Sequence, residues 1–203
     1  MVSSLQVRIL DAAAQLYAEH GFDIALTRIA RAARVTPAAL RREIGTRKAL
    51  QRRVLERLFG GRWNPEWDVL LADRGQPLER RLARFYSEYR GNISRTGTRL
   101  WNRAGLLGLH ASGNFSATLA TRILKPVVRE LRHEAGLKRT VRRPVSGAEL
   151  ELAQMLHGAI AFPHTRAHVY GMRVDGALPD LVAMMVRVWL PGAIAEVRRL
   201  HRG

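Results

Sequence analysis

Between residues 26 and 50 the chain gathers the side chains best able to do chemistry, and that chemistry is contact with phosphates and base edges. The stretch reads LTRIARAARVTPAALRREIGTRKAL. Thr27 is placed to cap a short helix over residues 28–33, on which Ile29, Ala30 and Ala33 share one apolar face. Thr36 repeats the device. Its hydroxyl can accept the first N–H groups of a second helix over residues 36–44, and Pro37 stands at the helical position where no N–H is needed. Leu40 and Ile44, one turn apart, bury that helix against the first and leave Pro37, Ala38, Ala39, Arg41 and Arg42 turned outward. Small residues on a leading turn let a helix approach base edges, while guanidinium groups behind them hold phosphates.

Outside this stretch the chemistry is sparse. His157, His164 and His168 would share one face of a continuous helix, but Pro163 is expected to break it and no carboxylate supports them, so no metal site is assigned. There is no nucleophile elbow, no Gly-rich phosphate loop and no pair of acids at catalytic spacing, so no catalytic residue and no cofactor is expected. Without cysteine there is neither disulfide nor thiolate metal site. No long apolar run follows the N-terminus, so the expectation is a cytoplasmic protein without signal or membrane span. The net charge of +17 suggests a polyanionic partner. Basic residues are spread along the whole chain, yet residues 28–57 hold ten of them against Glu43 and Glu56 alone.

The elements that would position these groups are all helical; no alternating strand pattern occurs. A first helix is expected over 4–20, closed by Gly21, and a fourth over 46–60, carrying Leu50, Val54 and Leu58 until Gly60-Gly61. Trp63 and Trp67 lie in a connection, where they are read as packing groups. Further helices are expected over 76–95, 98–109 and 114–131, the last capped by Asn114 and kinked at Pro126. A basic surface loop covers 133–144. A helix over 146–162 should stop at Phe162-Pro163, and one over 179–190 should resume after Pro191-Gly192 as 193–200. About nine helices result.

Ile9, Ala12, Ala13, Leu16, Tyr17, Glu19, Gly21 and Phe22, with Thr27, Ile29, Ala30, Ala33, Val35, Thr36, Leu40, Gly45, Arg47, Ala49 and Leu50, stand in one register. In that register residues 9–50 resemble the DNA-binding head of the tetracycline-repressor (TetR) family of bacterial regulators. The resemblance implies a helix-turn-helix DNA-binding domain over 1–48 and a helical ligand-binding and dimerisation domain over 49–203, with the helix at about 47–60 as connector. It implies a homodimer that binds a palindromic double-stranded operator, most often as a repressor, and is released by a small-molecule effector. Thr27, Thr36, Arg41, Arg42 and Arg47 would then position the head on phosphates, with Arg41 or Arg42 the candidate for a guanine, and Pro37, Ala38 and Ala39 would offer apolar contact.

Four positions depart from the family pattern. Arg34 replaces the usual turn glycine and must take a positive φ or reshape the turn. Arg41 replaces a tyrosine, Glu43 an aromatic or histidine, and Ile44 a phenylalanine. In the body, the implied pocket wall is Phe85, Tyr89, Trp101, Leu106, His110, Phe115 and Leu119, and a filled core of the same residues is the alternative. Leu181, Met184, Met185, Val188 and Trp189 mark an apolar face for dimerisation through the last two helices. Two rival readings stand beside the regulator. One is a ligand- or partner-binding module with a degenerate head, resting on Arg34, Arg41 and Glu43; the other, an enzyme, rests on the histidines alone.

Overall fold

A computed structural model describes residues 3–60, 63–109, 115–140 and 143–202, and no strand occurs among them. In chain order the α-helices are α1 (Ser4–His20), α2 (Leu26–Ala32), α3 (Pro37–Ile44), α4 (Arg47–Leu55), α5 (Glu66–Ala72), α6 (Leu78–Gly91), α7 (Arg95–Leu106), α8 (Phe115–Leu119), α9 (Lys125–Glu134), α10 (Gly147–His168) and α11 (Leu178–Leu200). They form two compact units. The first combines Met1–Arg62 with Ser94–Asn114, and the second Trp63–Ile93 with Phe115–Gly203.

In the first unit α1 is the central element. Ser3 caps it, accepting from the Gln6 N–H at 3.1 Å, and its stripe of Ile9, Ala13 and Tyr17 is fully buried. Ile29 and Ala30 of α2, Leu40 and Ile44 of α3, and Leu50 and Val54 of α4 close over that stripe. So do Leu100 and Ala104 of α7. The sequence reading placed residues 98–109 in the body, because a helical period says which face is buried but not against what. Here that helix docks on α1: the Thr96 hydroxyl lies 3.0 Å from Gln15 Oε1, and Arg103 Nη2 donates to the Glu19 carbonyl at 3.1 Å. The compact unit holding the head therefore extends beyond residue 48. α4 passes into a π-helical turn over Glu56–Gly60, on which Phe59 meets the Trp101 ring edge-on at 5.3 Å.

In the second unit α11 lies along α6, with α9, α10 and α5 around them. Leu82, Phe85 and Tyr86 face Val128, Leu131, Leu156, Ile160, Val182 and Val186 across the core. By length and composition alone α11 is long and apolar enough to cross a membrane. Its stripe of Val182, Val186, Leu190, Ala193 and Val197 is nevertheless buried in this unit, as in a core helix. Trp63 and Trp67 do pack, with ring centroids 5.3 Å apart, and Trp67 Nε1 donates to Glu88 at 2.9 Å. Trp67 belongs to α5, a helix the sequence reading took for a connection.

Prolines account for the largest corrections. Both α10 and α11 run uninterrupted through Pro163 and Pro191, where breaks were expected. Removing one N–H costs a long helix a single bond, and burial along its other face outweighs that loss. Pro126 acts differently. Just before it, Ala120–Leu124 form a π-helical turn in which the Lys125 N–H reaches the Ala120 carbonyl, so the helix absorbs the proline by widening one turn. The Asn114 cap lies outside the described residues.

Candidate nucleic-acid interface

The candidate interface is built on α3. Thr36 caps it as its residue type dictates, accepting from the Ala39 N–H at 3.1 Å, and Gly45 ends it at φ 86°, with its N–H on the Arg41 carbonyl. Leu40 and Ile44 anchor the inner face and are almost wholly buried. On the other side Thr36, Pro37, Ala38, Arg41 and Arg42 are exposed and Ala39 is half-buried. That is the division the spacing predicts.

The turn before α3 is closed by two reverse bonds: the Val35 N–H reaches the Ala30 carbonyl at 3.0 Å, and the Arg34 N–H reaches the Arg31 carbonyl at 3.1 Å. This pattern requires a left-handed residue at its centre. Arg34 supplies it at φ 55°, the sole non-glycine with positive φ among the described residues. Of the two outcomes open for Arg34, the chain keeps the turn and accepts the strain.

Two expected phosphate ligands sit otherwise than the sequence suggests. Thr27 does not cap α2; Ala25 occupies the cap without a side-chain bond, and Thr27 stands exposed in the first turn. Helix α2 simply starts earlier, because Leu26 is drawn in against the core of the unit. Arg47 is half-buried and its Nη1 donates to the Phe22 and Ile24 carbonyls, at 3.3 and 3.0 Å, so it braces the α1–α2 connection. Gln51 adds a bond to the Phe22 carbonyl at 3.2 Å, and Arg53 holds the Glu43 carbonyl at 3.0 Å. Sequence reasoning passed over Lys48, exposed in the first turn of α4, and Arg34 itself, whose side chain is also exposed. The charge density of residues 28–57 was the signal for both.

Residues 9–53 match the family model of the bacterial regulatory proteins, tetR family. The head is similar to a tetR-family head. The fold as a whole is similar to those of two solved structures. It superposes on a protein from Mesorhizobium loti MAFF303099 assigned to the TetR family of transcriptional regulators, at TM-score 0.58 and 13% identity, over 93% of this chain and 96% of that one. It also superposes on the fatty acid degradation regulator FadR from Bacillus halodurans, at TM-score 0.63 and 18% identity, over 93% and 95% of the two chains. At such identities the likeness is one of architecture. No curated protein matches the sequence.

The residues expected to line a pocket divide between the units. Trp101 and Leu106 lie on α7 in the first, Leu106 at 89% exposure. Phe85, Tyr89 and Leu119 lie in the second, where Phe85 and Tyr89 stack at 5.7 Å within an aromatic cluster. His110 and the Phe115 side chain lie outside the described residues. The three histidines do share one helix, α10, since Pro163 does not break it. His157 is buried against the Tyr86 and Tyr89 rings, His164 and His168 lie 5.8 Å apart, and among the described residues no three potential metal ligands converge.

Proposed function

We propose that the chain is a DNA-binding transcriptional regulator, acting as a repressor, that grips a palindromic operator as a homodimer and lets go when a small molecule binds its body. The observation that carries this reading is the two-faced α3: a buried Leu40–Ile44 edge, and an exposed edge of Thr36, Pro37, Ala38, Arg41 and Arg42 inside a tetR-type head. A helix so anchored can enter a major groove with its small leading turn against base edges and its arginines on guanine or phosphate. Arg34 and Lys48 extend the cationic surface on either side along the chain. Thr27 and Arg47 are assigned supporting roles, Arg47 by fixing the loop behind α3.

Dimerisation is assigned to α10 and α11. The apolar groups on these helices left most exposed are Met155, Phe162, Met184 and Val188. Leu181, Met185 and Trp189 are partly buried within the unit, Trp189 through a 3.1 Å bond to the Leu152 carbonyl. Large exposed apolar patches on otherwise polar surfaces mark contact faces.

Selection from a random DNA library at near-physiological salt tests the reading, because sequence-blind basic binding fades there. A palindromic motif is expected, with Arg42→Ala weakening that site about tenfold or more at unchanged helicity and mass. Unaltered binding by Arg42→Ala would remove α3 from the operator. Purely salt-sensitive, sequence-blind binding would favour the degenerate-head alternative, which loses ground because Arg34 preserves the turn.

A further inference from the structure

Among its described residues the second unit buries three arginines and satisfies two of them in the same way. Arg81 meets Glu130 at 2.9 Å, with Glu134 at 3.8 Å. Arg132 faces Glu149 at 2.6 Å and donates to the carbonyls of Thr140, Arg143 and Pro144. Arg90, at 8% exposure, departs from this pattern. Its Nη2 donates to the Ala161 carbonyl at 3.3 Å, and its Nε is buried without a partner. Burial pushes its pKa down, and the groups that counter this are Tyr89 and Tyr86; no carboxylate contributes. Among the described residues the guanidinium has no counter-ion, an arrangement a protein interior penalises heavily.

The polar atoms around it share the same condition. Tyr86 Oη, His157 Nδ1 and His164 Nδ1 are each buried without a hydrogen-bond partner. Tyr86 is fully buried and His157 is 8% exposed, their rings 5.9 Å apart. Burial first, then the Arg90 charge, holds both His157 and His164 near a pKa of about 4, so both imidazoles are neutral at physiological pH and each can turn an N–H towards an acceptor. The group thus offers hydrogen-bond donors and one uncompensated positive charge. Of Arg90, Tyr86, His157 and His164, the last alone also lines an open cavity of about 190 Å³, whose other walls include His168 beside the apolar Pro163, Ala167, Val174, Leu178 and Leu181.

We propose that Arg90, Tyr86, His157 and His164 receive the carboxylate of a small effector whose short apolar body occupies the cavity beside His164. The cation needs an anion, donors need an acceptor, and the aliphatic walls need an apolar partner; one amphipathic acid meets all three demands. The cavity is smaller than the roughly 300–1,000 Å³ typical of drug-sized ligands, which limits the body to a few carbons or one ring. This rests on the proposal that the body takes an effector, and it names that effector's class.

The probes are straight-chain carboxylates from butyrate to octanoate, with benzoate and phenylacetate, set against alcohols of the same carbon skeletons at matched ionic strength. Melting temperature of the full-length protein is the readout, since binding to the folded state raises it. Carboxylates should raise it and the alcohols should not. Arg90→Met should melt at or above the wild-type temperature without probe, because it removes an unpaired buried charge, and should bind the effective carboxylate at least about tenfold more weakly. Tyr86→Phe should keep its fold and lose part of the affinity. Equal or absent shifts from acids and alcohols, or a carboxylate response surviving in Arg90→Met, would overturn the proposal. A marked fall in melting temperature on Arg90→Met would also overturn it, making that arginine a structural member of the core. Operator selection is read separately on the probe-free protein, so carboxylate binding without a DNA motif would defeat the regulator reading and spare this one.

Discussion

At the scale of single residues, the molecule carries costs whose removal should be measurable. Arg34 holds a left-handed conformation that disfavours any side chain by roughly 1–2 kcal/mol, so Arg34→Gly should stabilise the first unit by about 1 kcal/mol after the glycine's greater unfolded-state entropy is subtracted. Chemical denaturation of the two proteins checks it, and a less stable glycine variant would show that the arginine side chain contributes contacts of its own. Tyr17 is wholly buried with an unpartnered hydroxyl, and burial lifts its pKa to about 12. Tyr17→Phe removes a polar group that finds nothing to bond, so stability should hold or rise by up to about 1 kcal/mol. Glu149 behaves in the opposite way. Burial works against its charge, but bonds from Arg132, His201 and Ser146 prevail and bring its pKa down to about 2. Its contribution is therefore fully present above the ordinary carboxylate value near 4.5 and is lost as pH falls from there towards 2. Melting curves across that window should fall more steeply for the wild type than for Glu149→Gln, which starts less stable. The Thr36 cap and the Arg34 problem were legible in the sequence because each depends on neighbours within five positions. Arg90 was not, since its distinction is the absence of a carboxylate that only the fold could have brought near.

At the scale of elements, the sequence overstated proline and understated tertiary burial. Pro191 is exposed in the middle of α11 and withholds one N–H from the turn before it. Pro191→Ala should restore that bond and raise stability by roughly 1–3 kcal/mol, seen as a higher melting temperature at equal or greater helicity. Pro163 offers no such gain, because it is buried and walls the cavity beside His164. The existence of the long amphipathic helices could be read from periodicity, whereas the continuity of α10 and α11 could not, since it depends on what covers their faces. Helix α5 escaped notice because its Trp67, Leu70 and Leu71 make too short a run to show a period. The partner of α7 was equally hidden: an apolar stripe of Leu100 and Ala104 fits many grooves, and only assembly selects α1.

At the scale of the whole molecule, oligomeric state is the first consequence to test. Met184→Glu with Val188→Glu places charges on the exposed side of α11, away from its buried stripe, so the chain should fold yet sediment as monomers of half the dimer mass. A dimer that survives both changes would place the contact elsewhere. The helices of the tetR-type head and its Thr36 cap were legible in the sequence. The full extent of the head was not, because the unit that contains it is discontinuous and the polypeptide passes between the two units three times. Modular exchange is constrained accordingly. A head excised after residue 60 would leave behind Leu100 and Ala104 and expose the face of α1 they cover. Chimaeras that graft this head onto a foreign sensor will need to carry α7 as well, or to redesign that face of α1 as a surface fit for water.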